Sequence, residues 1–138
     1  MCIRDSVQLG ASLVRSMQFE AATAVLKDAI SRDANNYPAH ASLATALFKL
    51  RQYPEAVREF NWIIRAKPEV SVSYYFLAIS LDHVGDCEQA LRTYQEFARR
   101  ADAAPNKNEL EVARARSGQL QRLIKERKCS SAPKAKSK

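Results

Sequence analysis

Glycine is scarce in this chain: three stand in 138 residues, Gly10, Gly85 and Gly118. Phosphate-binding turns need several glycines close together, so neither a Gly-x-Gly-x-x-Gly turn nor a P-loop can be written. No serine stands in a nucleophile-elbow context. Cysteine is thin as well. Cys2, Cys87 and Cys129 form no C-x-x-C pair, and an odd, scattered set argues against a disulfide framework and against structural zinc. His40 and His83 each stand alone, without a carboxylate or cysteine at ligand spacing, which leaves no metal site and no catalytic base. No apolar run approaches the ~20 residues of a membrane span. No secretory h-region opens the chain, so the default compartment is the cytoplasm. These absences describe a chain that is not an enzyme and has no catalytic residue, cofactor or metal.

Charge is present but uneven. The net charge is +7. Residues 1–106 hold 12 Lys/Arg and 12 Asp/Glu, whereas residues 107–138 hold 10 Lys/Arg and 3 Glu. The C-terminal quarter therefore carries the whole excess. Hydrophobic content of 46% is enough for a real core.

The informative feature is a period of 34. Leu43, Ala44, Leu47, Ala56, Phe60 and Ile63 recur earlier as Leu9, Gly10, Leu13, Ala22, Leu26 and Ala29. They recur later as Leu77, Ala78, Leu81, Ala90, Tyr94 and Phe97. A fixed period of this length signals stacked helical hairpins. The motif His40-x₂-Leu43-Ala44-x₂-Leu47, then Ala56-x₃-Phe60, then Pro68, resembles the tetratricopeptide repeat (TPR) over roughly residues 3–104. The run Ser73-Tyr74-Tyr75-Phe76-Leu77-Ala78, followed by Asp82-His83-Val84-Gly85-Asp86 and Tyr94-Gln95-Glu96-Phe97, looks like a bacterial TPR type that ends in a basic helix. The resemblance implies an all-α, right-handed superhelix (an α-α solenoid) of three helix-turn-helix units plus a C-terminal capping helix.

Local signals set the expected boundaries. Residues 1–6 carry no helix-start logic and read as an irregular or artificial beginning. Units follow at about 3–36, 37–70 and 71–104. Their helices are expected over 7–16, 19–32, 38–50, 54–66, 71–84 and 87–103. Pro38 and Pro54 suit the first turn of a helix, Pro68 suits an end, and Gly85 can take positive φ in a turn. A capping helix is expected over 106–128, opened by an Asn106-x-x-Glu109 capping box. Leu110, Ala113, Leu120, Leu123 and Ile124 form its apolar face. The polar, Lys-rich residues 129–138 read as a disordered tail. Cys87 takes the place of Phe19 and Tyr53 and reads as a packed hydrophobe. Trp62 reads as packing against a neighbouring unit, with a second contact patch as the alternative.

In TPR folds the first helices of successive units line a concave groove that holds a partner's peptide. Carried over by register, the partner-binding residues are Val14, Phe48, Lys49, Val72, Tyr75, Phe76, Ile79 and His83. One TPR class grips acidic chaperone C-termini with a Lys/Asn/Arg clamp. The corresponding places here hold Val7, Ala11, Ser42, Val72 and Phe76, so such tails are not expected partners. The resemblance implies a protein-interaction module, an adaptor or scaffold for another protein's peptide or helix. The 106–128 helix, or sequence upstream, could instead cover these residues. An alternative from another class is electrostatic binding of nucleic acid or anionic membrane through Arg114, Arg116, Arg122, Lys125, Arg127 and Lys128. That cluster lacks interleaved aromatics for base stacking. A regulatory domain of a larger enzyme is a third reading.

Overall fold

The computed structural model describes residues 2–129. Seven helices and no strand are present among them. They are α1 (Ile3–Arg15), α2 (Phe19–Arg32), α3 (Tyr37–Lys49), α4 (Tyr53–Ala66), α5 (Val72–Val84), α6 (Cys87–Arg100) and α7 (Lys107–Lys125). α1 starts at Ile3, earlier than the expected Val7, with Asp5 in its favourable first turn. The expected tail at residues 130–138 lies outside the described residues.

The chain divides after Ala66 into two compact units. In the first, α1 packs on α2, α3 on α4, α2 on α3 and α1 on α3. In the second, α6 packs on both α5 and α7. Leu9, Leu43 and Leu77 lie on the first helix of successive hairpins, as the period requires. Leu43 and Leu77 are buried, but Leu9 is 39% exposed.

The small repeat positions lie in the core. Ala22, Ala44, Ala56, Ala78 and Ala90 are wholly buried. At Gly10 a Cβ would stand 2.4 Å from Leu26 Cδ2 and 2.5 Å from its Cγ. Leu26 is itself fully buried, so α1 can cross α2 there only without a side chain. Each large buried residue, such as Leu26, Leu47, Phe97 or Leu120, contributes ~1.5–3 kcal/mol by leaving water.

The helix ends repeat as strictly as the cores. Met17 (φ 64°), Arg51 (φ 60°) and Gly85 (φ 98°), each 34 residues from the next, take the left-handed conformation after α1, α3 and α5. The following residue then donates its N–H back to the last turn: Gln18 to Leu13, Gln52 to Leu47, Asp86 to Leu81. This six-to-one bond is the Schellman closure, which satisfies carbonyls the helix leaves orphaned. α7 ends the same way, with Arg127 at φ 58° and Lys128 N–H donating to Leu123. Only the third of these four has the glycine that announces the turn in sequence. At α3, Asn36 accepts the Ala39 N–H, and at α6 Asp86 accepts the Gln89 N–H, as N-caps do. The capping box expected at α7 is absent. Asn106 precedes the helix, but its amide donates to the Asp102 carbonyl instead of accepting from the first turn.

His40 has partners that sequence spacing did not reveal. It is buried, with Nδ1 2.6 Å from the Glu59 carboxylate on α4 and Nε2 2.8 Å from the Ala34 carbonyl. Trp62 stacks on its ring at 3.7 Å, so this indole packs within its own hairpin. Glu59 and Trp62 follow His40 by 19 and 22 residues, and only the antiparallel return of α4 brings them to it.

Cys87 is packed in the core as expected, but the expectation of no disulfide is corrected. Cys87 is buried at the start of α6, and its sulfur is bonded to that of Cys129, with the two Cα atoms 6.2 Å apart. That separation is ordinary for a disulfide. α6 and α7 run antiparallel, which brings the amino end of one to the carboxyl end of the other.

Candidate functional site

Four of the expected partner-binding residues fall on one stripe of α5. Val72, Phe76, Ile79 and His83 are spaced four, three and four apart, which is the spacing of a single helix face. Every one is at least half-exposed or partly exposed: Val72 at 38%, His83 exposed, Phe76 and Ile79 intermediate. The opposite face of α5, with Ser73, Tyr74, Leu77, Ala78 and Ser80, is buried. The backbone thus turns an apolar stripe outward because the alternative stripe is needed for the core.

Tyr75 differs from its neighbours on this stripe. Its ring tilts onto Phe97 of α6 at 5.1 Å and meets Phe76 edge-on at 5.4 Å. Phe97 is fully buried, so Tyr75 is partly a core residue that braces Phe76. Its phenol is shifted above the ordinary range, by burial first and by the Glu109 carboxylate of α7 second.

Next to His83, Asp82 is held by α7. Arg116 Nε and Nη2 reach its two carboxylate oxygens at 2.7 and 2.9 Å. Such a two-pronged pair fixes direction as well as distance. The Tyr94 hydroxyl of α6 donates to Asp82 at 3.3 Å. Burial, then the Asp82 charge and this hydrogen bond, push the Tyr94 phenol strongly upward, with Arg116 opposing. One carboxylate therefore ties all three helices of the second unit. The pair bridges 34 residues, one full period, which a search for short-range charge pairs does not detect.

The first unit carries its own counterpart. Val14 of α1 and Phe48 of α3 are half-buried, while Lys49 is exposed. Phe48 packs edge-on against Tyr53 at 5.8 Å and Phe60 at 6.2 Å, both on α4. It is anchored from behind, as Tyr75 is.

The basic residues of α7 and of the turn after it do not form one free cationic face. Arg116 is committed to Asp82, and Lys128 lies 3.2 Å from Glu126. Arg114, Arg122, Lys125 and Arg127 are exposed. The buried side of α7 is Leu110, Ala113 and Leu120, while Leu123 and Ile124 are only half-buried. Among the described residues no cluster of His, Cys, Asp or Glu could hold a metal ion. No helix among them is long and apolar enough to cross a membrane.

Comparison with known proteins agrees with the helical-hairpin fold. Residues 13–80 match the family model described as tetratricopeptide repeat. No curated protein matches the chain. Among solved structures, MamA from Desulfovibrio magneticus RS-1 superposes with a TM-score of 0.72 at 17% identity, over 91% of this chain and 77% of that one. The type III secretion translocator chaperone SycD of Yersinia enterocolitica gives 0.75 at 16% identity, over 90% and 86%. The TPR2B domain of yeast Sti1, in its pHsp70 complex, gives 0.70 at 18% identity, over 87% and 96%. The period, the helical hairpins and these matches agree on an α-α solenoid, in which residues 13–80 carry the tetratricopeptide repeat.

Proposed function

We propose that this chain is a protein-interaction module, and that α5 receives an apolar peptide or helix of another protein along Val72, Phe76, Ile79 and His83. One observation carries the reading: a partly exposed apolar stripe on a first helix whose other side is committed to the core. Apolar surface left at such a place is what a partner would cover. Phe76 and Ile79 are the anchors, and the bracing of Tyr75 by Phe97 keeps Phe76 in place before any partner arrives. Pre-set side chains lose little entropy on binding. In the first unit Val14, Phe48 and Lys49 take the corresponding role. Two of the similar structures are named as complexes with chaperone peptides. The polar clamp that TPR domains use for acidic tails is not matched by Val72 and Phe76, which favour apolar anchors over a carboxylate.

The reading is tested by selecting a random peptide library against the full chain. The expected binders carry paired apolar residues, and Phe76→Ala with Ile79→Ser weakens them at least about tenfold while the thermal midpoint stays close to that of the parent. Tight binders whose affinity ignores both substitutions would overturn it.

A further inference from the structure

We propose that Cys87 and Cys129 form a reversible thiol–disulfide clasp that fastens the carboxyl end of α7 to the amino end of α6, so that the last turn of α7 responds to the thiol poise of its surroundings.

The placement is specific. Cys87 is the first residue of α6 and is 2% exposed. Cys129 follows the Schellman closure at Arg127 and Lys128 and is half-buried. Cys2, the third cysteine, is exposed, free, and in the other unit. The pair is therefore chosen by the fold.

The bond does something that packing does not. The middle of α7 is held by Leu110, Ala113 and Leu120 and by the Arg116–Asp82 pair. Beyond Leu120 the hold weakens. Leu123 and Ile124 are half-buried, and residues 125–128 are exposed. The bond sits at this weakly held end. Opening it frees the last turn and leaves the middle of α7 docked.

Exposure sets the order of the chemistry. An external thiolate, such as glutathione, attacks the more accessible Cys129 Sγ. The Cys87–Cys129 bond breaks, and its electron pair leaves on Cys87 Sγ, which takes up a proton from water. A second external thiolate then attacks the external sulfur on Cys129. That releases a small-molecule disulfide and leaves Cys129 as a thiolate. Two external thiols are oxidised to one disulfide, and one protein disulfide is reduced to two thiols. The reverse sequence closes the clasp, with glutathione disulfide as the oxidant. Exchange of this kind begins at the sulfur that the attacking thiolate can reach.

The test uses the full chain equilibrated in glutathione buffers of stepped ratio, then acid-trapped, alkylated and mapped by mass spectrometry. The expected result is a Cys87–Cys129 cross-link under oxidising ratios, with Cys2 alkylated throughout. At intermediate ratios glutathione should appear on Cys129 and not on Cys87. Hydrogen exchange supplies a second reading. The amides of residues 123–128 should exchange at least about tenfold faster in the reduced chain, with those of residues 110–120 unchanged. Cys129→Ser should show the reduced pattern in every buffer, and Cys2→Ser should behave as the parent. A cross-link that involves Cys2, glutathione found mainly on Cys87, or exchange at residues 123–128 that is equal in both redox states would each overturn the proposal.

Discussion

Gly10 and Gly118 offer a matched pair of substitutions whose effects should have opposite sign. Both lie inside helices, α1 and α7. On helix propensity alone, Ala in place of either should stabilise by ~1 kcal/mol. The structure separates them. At Gly118 an added methyl would meet only Arg122 Nη1 at 3.8 Å, an ordinary contact with a movable side chain. At Gly10 it would enter Leu26, with Cγ at 2.5 Å, and Leu26 has no exposed surface into which to retreat. Overpacking of a filled core costs ~1–3 kcal/mol, and contact with a branching carbon places Gly10 near the upper end. After subtraction of the propensity gain, Gly10→Ala should lose about 1–2 kcal/mol while Gly118→Ala gains about 1 kcal/mol. In a unit of this size each kcal/mol moves the midpoint by ~4–8 °C. Circular dichroism melts of both variants, followed in urea for the slope, measure this directly. A double-mutant cycle sharpens it. Leu26→Ala should cost less in the Gly10→Ala background than alone, because the new methyl fills part of the cavity, and the coupling should exceed ~0.5 kcal/mol. If Gly10→Ala raises the midpoint as Gly118→Ala does, or the cycle shows no coupling, the close crossing of α1 and α2 is not what selects glycine there.

Other outcomes follow from the same geometry. Tyr94→Phe removes the hydroxyl that donates to Asp82 and should cost ~1 kcal/mol near neutral pH. The phenol is raised in the folded state, so its stabilising share is full below the ordinary tyrosine range and fades as pH climbs through and above it. Alkaline unfolding above about pH 10 should therefore be less steep in Tyr94→Phe than in the parent, and parallel curves would refute this. His40→Phe keeps a ring for Trp62 but strips partners from Glu59 and the Ala34 carbonyl. It should lose ~1–3 kcal/mol in urea melts, and a neutral result would show that the two His40 hydrogen bonds are dispensable. Arg51→Gly relieves a left-handed arginine. The gain should be a few tenths to ~1 kcal/mol after the extra freedom glycine adds to the unfolded chain, and a lowered midpoint would contradict the strain assignment.

Much of this protein could be read from its sequence. The 34-residue period placed Leu9, Leu43 and Leu77 on first helices and reserved Ala22, Ala56 and Ala90 for close crossings, because helical periodicity and side-chain size act locally and repeat with the chain. Pro38, Pro54 and Gly85 marked helix ends for the same local reason. The stripe of Val72, Phe76, Ile79 and His83 was visible as register, since exposure on a helix follows from which face the core takes. What the sequence did not disclose lies across helices. His40 with Glu59, Asp82 with Arg116, and Cys87 with Cys129 are pairs 19, 34 and 42 residues apart. Their meeting depends on which turn of one helix faces which turn of the next. Met17 and Arg51 adopt left-handed geometry that their side chains disfavour, because hairpin closure outweighs a local cost of ~1–2 kcal/mol. Sequence decided where each helix runs and which side of it is apolar. The docking of one helix on another decided which polar groups become partners, since that depends on distances through space that no spacing along the chain encodes.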